Sequence, residues 1–335
     1  MIQQLRENLT REWKVLLGFV AAAILLPTLM ESYTSASEIW IFGLLAVAFN
    51  LLLGYTGLLS FGQAIFFGLG AYVSGLILLH LEWNIFVIMV AAIFSGGLAA
   101  MAIGYFCVQR VGIYFILLTF SFNLMVYFIV YEWDEVTGSV DGLYGADRPF
   151  LSIPGLFELD MGSYEAYYVF TVVVVMICYY LISRIVRSPF GKVLTMIREN
   201  EERAAALGCN VRLYKLMVFT IAGMFSSLAG MLYVGLFQYV PIDAIEWLTS
   251  ANIVFMALIG GIANMIGPMI GAGIFIMLSD TLSVMWARWP LLLGLIFMAV
   301  ILFCPGGMLQ VGAKAKNYLR SLKARRATGR AEAGD

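Results

Sequence analysis

Ten apolar runs, nearly free of charge, follow one another along this sequence and are separated by short polar or glycine-rich breaks. Read from the sequence alone, they lie near 15–30, 37–55, 59–79, 85–108, 111–131, 165–183, 214–238, 247–266, 269–287 and 289–305. Runs of about 20 residues match the length a helix needs to cross the hydrocarbon of a bilayer. Hydrocarbon offers no partner for a free N–H or C=O, so a spanning segment must close its hydrogen bonds as a helix or a barrel. The alternation of a barrel strand is missing here. The runs therefore predict an all-α, polytopic transmembrane bundle of about ten spans. With only 12% of its residues charged, the chain holds about half the share usual in soluble domains.

The net charge of −1 hides a segregation. With ten spans and a cytoplasmic N-terminus, 18 of the 20 Lys/Arg fall on the inner side, and Arg148 and Arg288 are the two outside. The inner groups are Arg6, Arg11 and Lys14, then Arg110, the run from Arg184 to Lys215, and the tail from Lys314 to Arg330. This asymmetry is the positive-inside pattern and predicts cytoplasmic N- and C-termini. A membrane domain is expected over 1–311, with a cytoplasmic connection at 185–213, an extracytoplasmic one at 132–164 and a basic tail at 312–335. The first run also has a signal-peptide reading, with Arg6 to Lys14 as a charged leader and small residues between Tyr33 and Ser37. Cleavage would leave an odd number of spans, so an intact first helix is expected.

Between the sixth and seventh runs lies SPFGKVLTMIRENEERAAALG, Ser188 to Gly208. Its charges keep it out of lipid, while Phe190, Val193, Leu194 and Ile197 recur on one helical face. Ser188 as N-cap, Pro189 at the first position and Gly208 as terminator predict a single helix. Such a helix can be gripped by a groove in another protein or can lie in the headgroup layer; Glu199, Glu201 and Glu202 disfavour an anionic lipid surface. In the outer connection, Thr137-Gly138 and Asp141-Gly142 are turn signals, consistent with an ordered cap or a solvated connector.

Two glycine-rich stretches align when Gly57 is placed opposite Gly260: Ser60, Ala64, Gly68 and Gly70 then meet Ala263, Gly267, Gly271 and Gly273. Small residues four apart let membrane helices approach closely, so Gly57, Gly68, Gly260, Gly267 and Gly271 are candidate packing positions. The correspondence is weak for an internal repeat in a chain with 33 glycines.

Few residues here can do chemistry. There is one histidine, His80, at a span end, and no HExxH or Cys/His pairing. Cys107, Cys178, Cys209 and Cys304 form no CxxC. No catalytic residue, metal site, bound cofactor or nucleic-acid partner is expected. Asp280 reads as essentially the single ionisable group within the spans, either lining a polar path or capping a helix end. The neutral polar residues Asn50, Ser60, Gln63, Asn123, Asn252 and Asn264 serve helix–helix hydrogen bonds or, as a set, line a path for an uncharged or zwitterionic solute. No GxxxxGK[ST] occurs, so any nucleotide-driven work must be done by another chain.

The stretches NLLLGYTGLLSFGQAIFFGLGAYVSG (50–75), GIYFILLTFSF (112–122), WDEVTGSVDGL (133–143), GKVLTMIRENEERAAALG (191–208) and ALIGGIANMIGPMIGA (257–272) resemble the LivM-type permease subunits of branched-chain amino acid ABC importers. In that resemblance, EERAAALG is similar to the Glu-Ala-Ala plus Gly signature whose cytoplasmic helix docks on the ATPase. Glu202, Ala204, Ala205 and Gly208 occupy that motif, with Arg203 interrupting it, and Lys192, Arg198 and Glu201 complete the candidate coupling set. TGS stands in the outer loop where relatives often have TGG, and Gln63 stands where many carry His.

The resemblance implies a LivH-type second permease, two cytoplasmic ATPases that use ATP-Mg, a soluble extracytoplasmic binding protein and a lipid-embedded location in a bacterial inner membrane. Branched-chain or other hydrophobic amino acids are the implied cargo, urea or short amides the nearest alternative. From a different class, a self-sufficient channel or ion-coupled carrier built on Asp280 is the competing expectation.

Overall fold

A computed structural model describes residues 18–30, 32–81, 83–145, 148, 151–153, 157–159, 162–262, 264–303 and 307–308. Its helices, in chain order, are α1 (Gly18–Met30), α2 (Tyr33–Thr56), α3 (Gln63–His80), α4 (Ile85–Cys107), α5 (Ile113–Glu132), the short α6 (Asp134–Thr137), α7 (Tyr164–Arg187), α8 (Pro189–Glu199), α9 (Glu201–Ala206), α10 (Val211–Phe237), α11 (Trp247–Gly260), α12 (Gly267–Met285) and α13 (Trp289–Phe303). Every expected apolar run coincides with a helix. Seven of these, α2, α3, α4, α5, α7, α10 and α12, are long and apolar enough to cross a membrane. The other three, α1, α11 and α13, are shorter apolar helices over the described residues. α11 starts at the expected Trp247, after a 3-10 turn at Ile242–Ala244, and ends early at Gly261, at φ +100°.

The centre of the bundle is α2, whose apolar window is 83% buried, whereas that of α5 is 22% buried. α2 is therefore a core helix, and α5 leaves most of its apolar surface to whatever surrounds the chain. Around α2 pack α10, α12 and α7, while α10 also packs on α3 and α4. Small residues set the closest crossing: a Cβ at Gly70 would collide with the Ser227 backbone and one at Gly230 with the Phe67 backbone. α3 and α10 thus touch main chain to main chain, the packing mode that lipid-embedded helices favour. Side chains such as Phe94, Tyr114 and Phe128 project outward, which suits a hydrocarbon solvent.

At the end of the bundle away from the basic connection, the 132–164 segment is ordered where described. Gly138 and Gly142 both sit at φ +73°, the backbone that their turns require. β1 (Leu143–Tyr144) pairs antiparallel with β4 (Tyr239–Val240), and β2 (Leu151–Ile153) forms a hairpin with β3 (Phe157–Leu159). Arg148 is buried there, its guanidinium 3.9 Å from the Tyr164 ring centroid and donating to the Gly162 carbonyl.

Three sequence expectations change. α2 carries Glu38, so Asp280 is not the single acid in the apolar helices. The stretch from Ser188 to Gly208 is two helices, because Asn200 is extended (φ −160°, ψ 109°) and its Oδ1 accepts from Arg203 N at 2.8 Å, capping α9. Ser188 does not cap α8 with its side chain; its hydroxyl donates back to Ile185 O at 2.6 Å, closing α7. Arg6, Arg11, Lys14, Ala263, Cys304 and the 312–335 tail lie outside the described residues.

Candidate functional site

The break between α2 and α3 organises the polar residues. A helix that begins inside the bundle exposes N–H groups that its own turns cannot satisfy. Here neighbours supply the acceptors: Phe61 N donates to Thr119 Oγ1 on α5 (3.2 Å), Gly62 N to Ser60 Oγ (3.2 Å) and Ala64 N to Ser250 Oγ on α11 (3.0 Å). Ser60, Thr119 and Ser250 are all essentially without solvent exposure. Thr119 and Ser250 escaped the sequence reading because a lone hydroxyl in an apolar run carries no pattern; only the fold reveals which backbone group it serves.

Gln63 and Asn123 belong to the same group. Gln63 Oε1 accepts from the Ser226 hydroxyl at 2.8 Å, and Asn123 Nδ2 donates to Ile245 O at 2.9 Å. Each keeps one buried polar atom without a partner, Gln63 Nε2 and Asn123 Oδ1. Leaving such a group unpaired costs about 1–3 kcal/mol. Beside them Phe61, Phe120 and Trp247 form an edge-to-face series with centroids 6.5 and 5.9 Å apart. Gln63 and Asn123 thus leave one amide donor and one carbonyl acceptor unpartnered and buried on this side of the bundle.

A second group sits at the basic end. Asn50 Nδ2 donates to Asn264 O at 3.4 Å, linking α2 to the break between α11 and α12, and Arg198 of α8 donates to Gly54 O. Gly57 ends α2 in the left-handed region at φ +76°, and a Cβ there would lie 3.3 Å from Arg198 Cγ. Gly57 is therefore a helix terminator that also packs closely against α8. Gly68 packs on Ile245, Gly260 on the Gly267 carbonyl, and Gly271 on Met256 O and Gly260 N, so α11 and α12 meet backbone to backbone. Asn252 is half-buried on α11.

Asp280 is exposed on α12, within electrostatic reach of Glu38 on α2. None of the hydrogen bonds that Ser60, Gln63 and Asn123 make here, to Gly62 N, the Ser226 hydroxyl and Ile245 O, involves α12. An apolar cavity of about 520 Å³ between α1, α2 and α12, lined by Phe19, Trp40 and Met269 among others, is also separate from the polar group.

The α8–α9 element is held rigidly. Leu194 and Ile197 are buried, Phe190 stacks on Tyr214 of α10 with centroids 5.5 Å apart, and Ala204 packs with Ile197 and Val211. Lys215, 2% exposed, places Nζ 2.6 Å from Glu201 Oε2 and so ties α10 to α9. Gly208, at φ +87°, turns the chain into the Asn210 cap of α10. Lys192, Glu202, Arg203, Ala205, Leu207 and Gly208 remain exposed. Leu207, 68% exposed, is a large apolar side chain at the tip of a charged knob. The sequence reading passed over it because the helix was expected to continue past Asn200.

The family described as the permease component of the branched-chain amino acid transport system matches residues 33–305, which include every apolar helix from α2 to α13. The chain belongs to this family. Among curated proteins, this permease is 22% identical over 287 residues to the high-affinity branched-chain amino acid transport system permease protein LivM of Escherichia coli (strain K12), covering 80% of this chain and 68% of that protein. It is 21% identical over 319 residues to LivM of Salmonella typhimurium (strain LT2), covering 88% and 74%. A probable LivM of Methanocaldococcus jannaschii is 23% identical over 191 residues, covering 51% and 53%. No solved structure matches the permease. The permease is thus a multi-pass membrane protein related to transport subunits.

Proposed function

We propose that this chain is one membrane half of an ATP-driven importer for branched-chain or other hydrophobic amino acids. Its companions in that reading are a LivH-type second permease, two cytoplasmic ATPases that use ATP-Mg, and a soluble extracytoplasmic binding protein. The membrane is a bacterial inner membrane, with both termini and α8–α9 on the cytoplasmic side. The membrane domain spans 1–311 and includes the coupling connection 185–213 and the outer connection 132–164; the basic tail is 312–335.

One observation carries the reading: Arg198 of α8 reaches the carbonyl of Gly54 at the α2–α3 break. A partner that grips α8–α9 would thereby push on the segment that leads to Ser60 and Gln63. Through Asn50 and Asn264 the same push would reach the α11–α12 break. Within the element, Glu202, Ala205, Leu207 and Gly208, with Lys192, form the ATPase contact, while Arg198, Glu201 and Ala204 brace the knob against the bundle. The chain has no GxxxxGK[ST] of its own, so the energy must enter through this contact.

Reconstituted with its partners in liposomes, the importer is expected to accumulate L-leucine only with ATP and an active ATPase pair. Leucine uptake driven by a proton or sodium gradient without ATP would refute this reading and restore an ion-coupled carrier at Asp280. Uptake of urea or acetamide in preference to leucine would keep the mechanism and change the cargo.

A further inference from the structure

The first helix is tied to the bundle through α2 and α7. The Tyr168 hydroxyl of α7 donates to Ala23 O at 2.7 Å, and the Phe19 ring meets those of Tyr179 and Trp40 with centroids 4.7 and 5.8 Å apart. Toward α12 its two ends differ. Leu26 and Met30 pack on the cluster of Ile39, Phe275 and Ile276, whereas a Cβ on Gly18 would meet nothing within 4 Å. The cavity of about 520 Å³ lies between α1, α2 and α12, closed beyond Leu26 and open beside Gly18 and Ile270, both of which are exposed.

Its walls cannot simply collapse onto each other. Closing α1 onto α12 would break the Ala23–Tyr168 bond, and α12 already touches α2, since a Cβ on Gly43 would lie 2.9 Å from Met269 Cγ. The lining holds no titratable side chain, and its one side-chain N–H, the Trp40 indole, is spent on the Tyr168 hydroxyl at 3.2 Å. An apolar cavity without free polar partners excludes water. A cavity of about 150 Å³ takes one benzene, so this space has room for on the order of 15–20 carbons. A single aromatic side chain from a partner would leave most of it empty. Beside the opening, Val20 and Ile24 of α1 and Ile270 of α12 are exposed, as side chains that face hydrocarbon are.

We infer that this cavity binds one acyl chain of a membrane phospholipid, which enters between Gly18 and Ile270 and runs past Phe19 and Met269 to Leu26. Gly18 to Leu26 is about 12 Å along a helix, so the chain lies beside α1 for two turns. The site also reaches the α11–α12 break: Ile266 lines it, two residues from the Asn264 carbonyl that accepts from Asn50. The acyl chain thus braces α12 on the side where the break would otherwise border empty space. The site does not depend on the identity of the cargo.

The test is photo-crosslinking of the assembled importer in nanodiscs that contain phosphatidylglycerol with a diazirine on its palmitoyl chain, followed by peptide mapping. Leu26 and Met269, which line the cavity, should be labelled, with the exposed Phe128 of α5 as the reference for surrounding lipid. Gly273→Leu places its side chain in the cavity from a Cβ only in ordinary contact with Ile39, and Gly18→Leu fills the opening where nothing lies within 4 Å. Each should lower labelling of Leu26 and Met269 about tenfold and leave Phe128 unchanged. Label on Phe128 without label on Leu26 and Met269, or undiminished cavity labelling in both variants, would overturn the site. Cavity labelling of the isolated full chain that vanishes in the assembled importer would overturn it too, and would give the space to the second permease. Labelling by diazirine-bearing palmitic acid alone, with none from the phospholipid, would refute the phospholipid as occupant.

Discussion

Lys215 shows how a single residue can decide the geometry of the docking element. A cation 2% exposed is costly unless paired, and Glu201 pairs it at 2.6 Å while remaining 43% exposed itself. Because Glu201 still touches water, the pair is worth less than a fully buried one. Replacing Glu201 by Gln is expected to destabilise the protein by about 1–3 kcal/mol, since it strands the buried ammonium. Adding Lys215→Met should recover most of that loss, as removing both charges leaves no orphan. Thermal unfolding in detergent reads both effects; a double variant as unstable as the single one would show that Glu201 acts through something other than Lys215. Gln63 and Asn123 pose the opposite case, buried amides each kept half-satisfied. Their polarity was legible in the sequence, but their company was not. The hydroxyls of Thr119 and Ser250 became meaningful only once the α3 N-terminus lay against α5 and α11.

At the scale of the element, periodicity served well where a helix has one environment and failed where the chain changes direction. The apolar runs located all ten apolar helices, because hydrocarbon enforces helix wherever charge is absent. The amphipathic face of α8 was equally legible: Leu194 and Ile197 are buried as their spacing required. The break at Asn200 was not, since a helix-compatible sequence on both sides conceals a cap whose signal is one Asn three residues before an orphan N–H. That break projects Leu207 at the tip. Leu207→Glu is expected to leave thermal stability within about 0.5 kcal/mol, as an exposed site does, and to abolish co-purification of the ATPase subunits. Gly208→Pro should also abolish ATPase co-purification, but at a cost in stability, because proline cannot adopt φ +87° and loses the Gly208 N to Ala205 O hydrogen bond. An unchanged ATPase yield from Leu207→Glu would place the contact elsewhere on the chain. The α11–α12 hairpin offers a control in the membrane: a Cβ at Gly271 meets Met256 O and Gly260 N. Gly271→Leu should therefore lower the unfolding midpoint while leaving α8–α9 able to bind ATPase in the protein that remains folded.

Across the whole molecule, the buried polar residues gather in two places. At the basic end, Arg198, Gly54, Gly57, Asn50 and Asn264 bring together α8 and both interrupted hairpins, α2–α3 and α11–α12. On the α3 side of the α2–α3 break lie Gln63, the first residue of α3, and Asn123 of α5, each with one unpartnered buried amide atom. α2 is the most buried of the spanning helices, so it cannot bend independently of its neighbours, and a displacement at Gly54 must be shared with α10 and α12. Interior packing of that density transmits a push as a shift between discrete arrangements. If Arg198 is the strut that delivers the push, its removal should separate docking from transport. Arg198→Ala is expected to retain the ATPase subunits and ATP hydrolysis, since Leu207, Glu202 and Ala205 are untouched, yet to lower leucine uptake about tenfold per ATP consumed. Parallel measurement of ATP turnover and uptake in proteoliposomes distinguishes the outcomes. Loss of both together would make Arg198 part of the docking surface, and a normal ratio would mean that force reaches the α2–α3 break by another route, through the packing of α8 on α10.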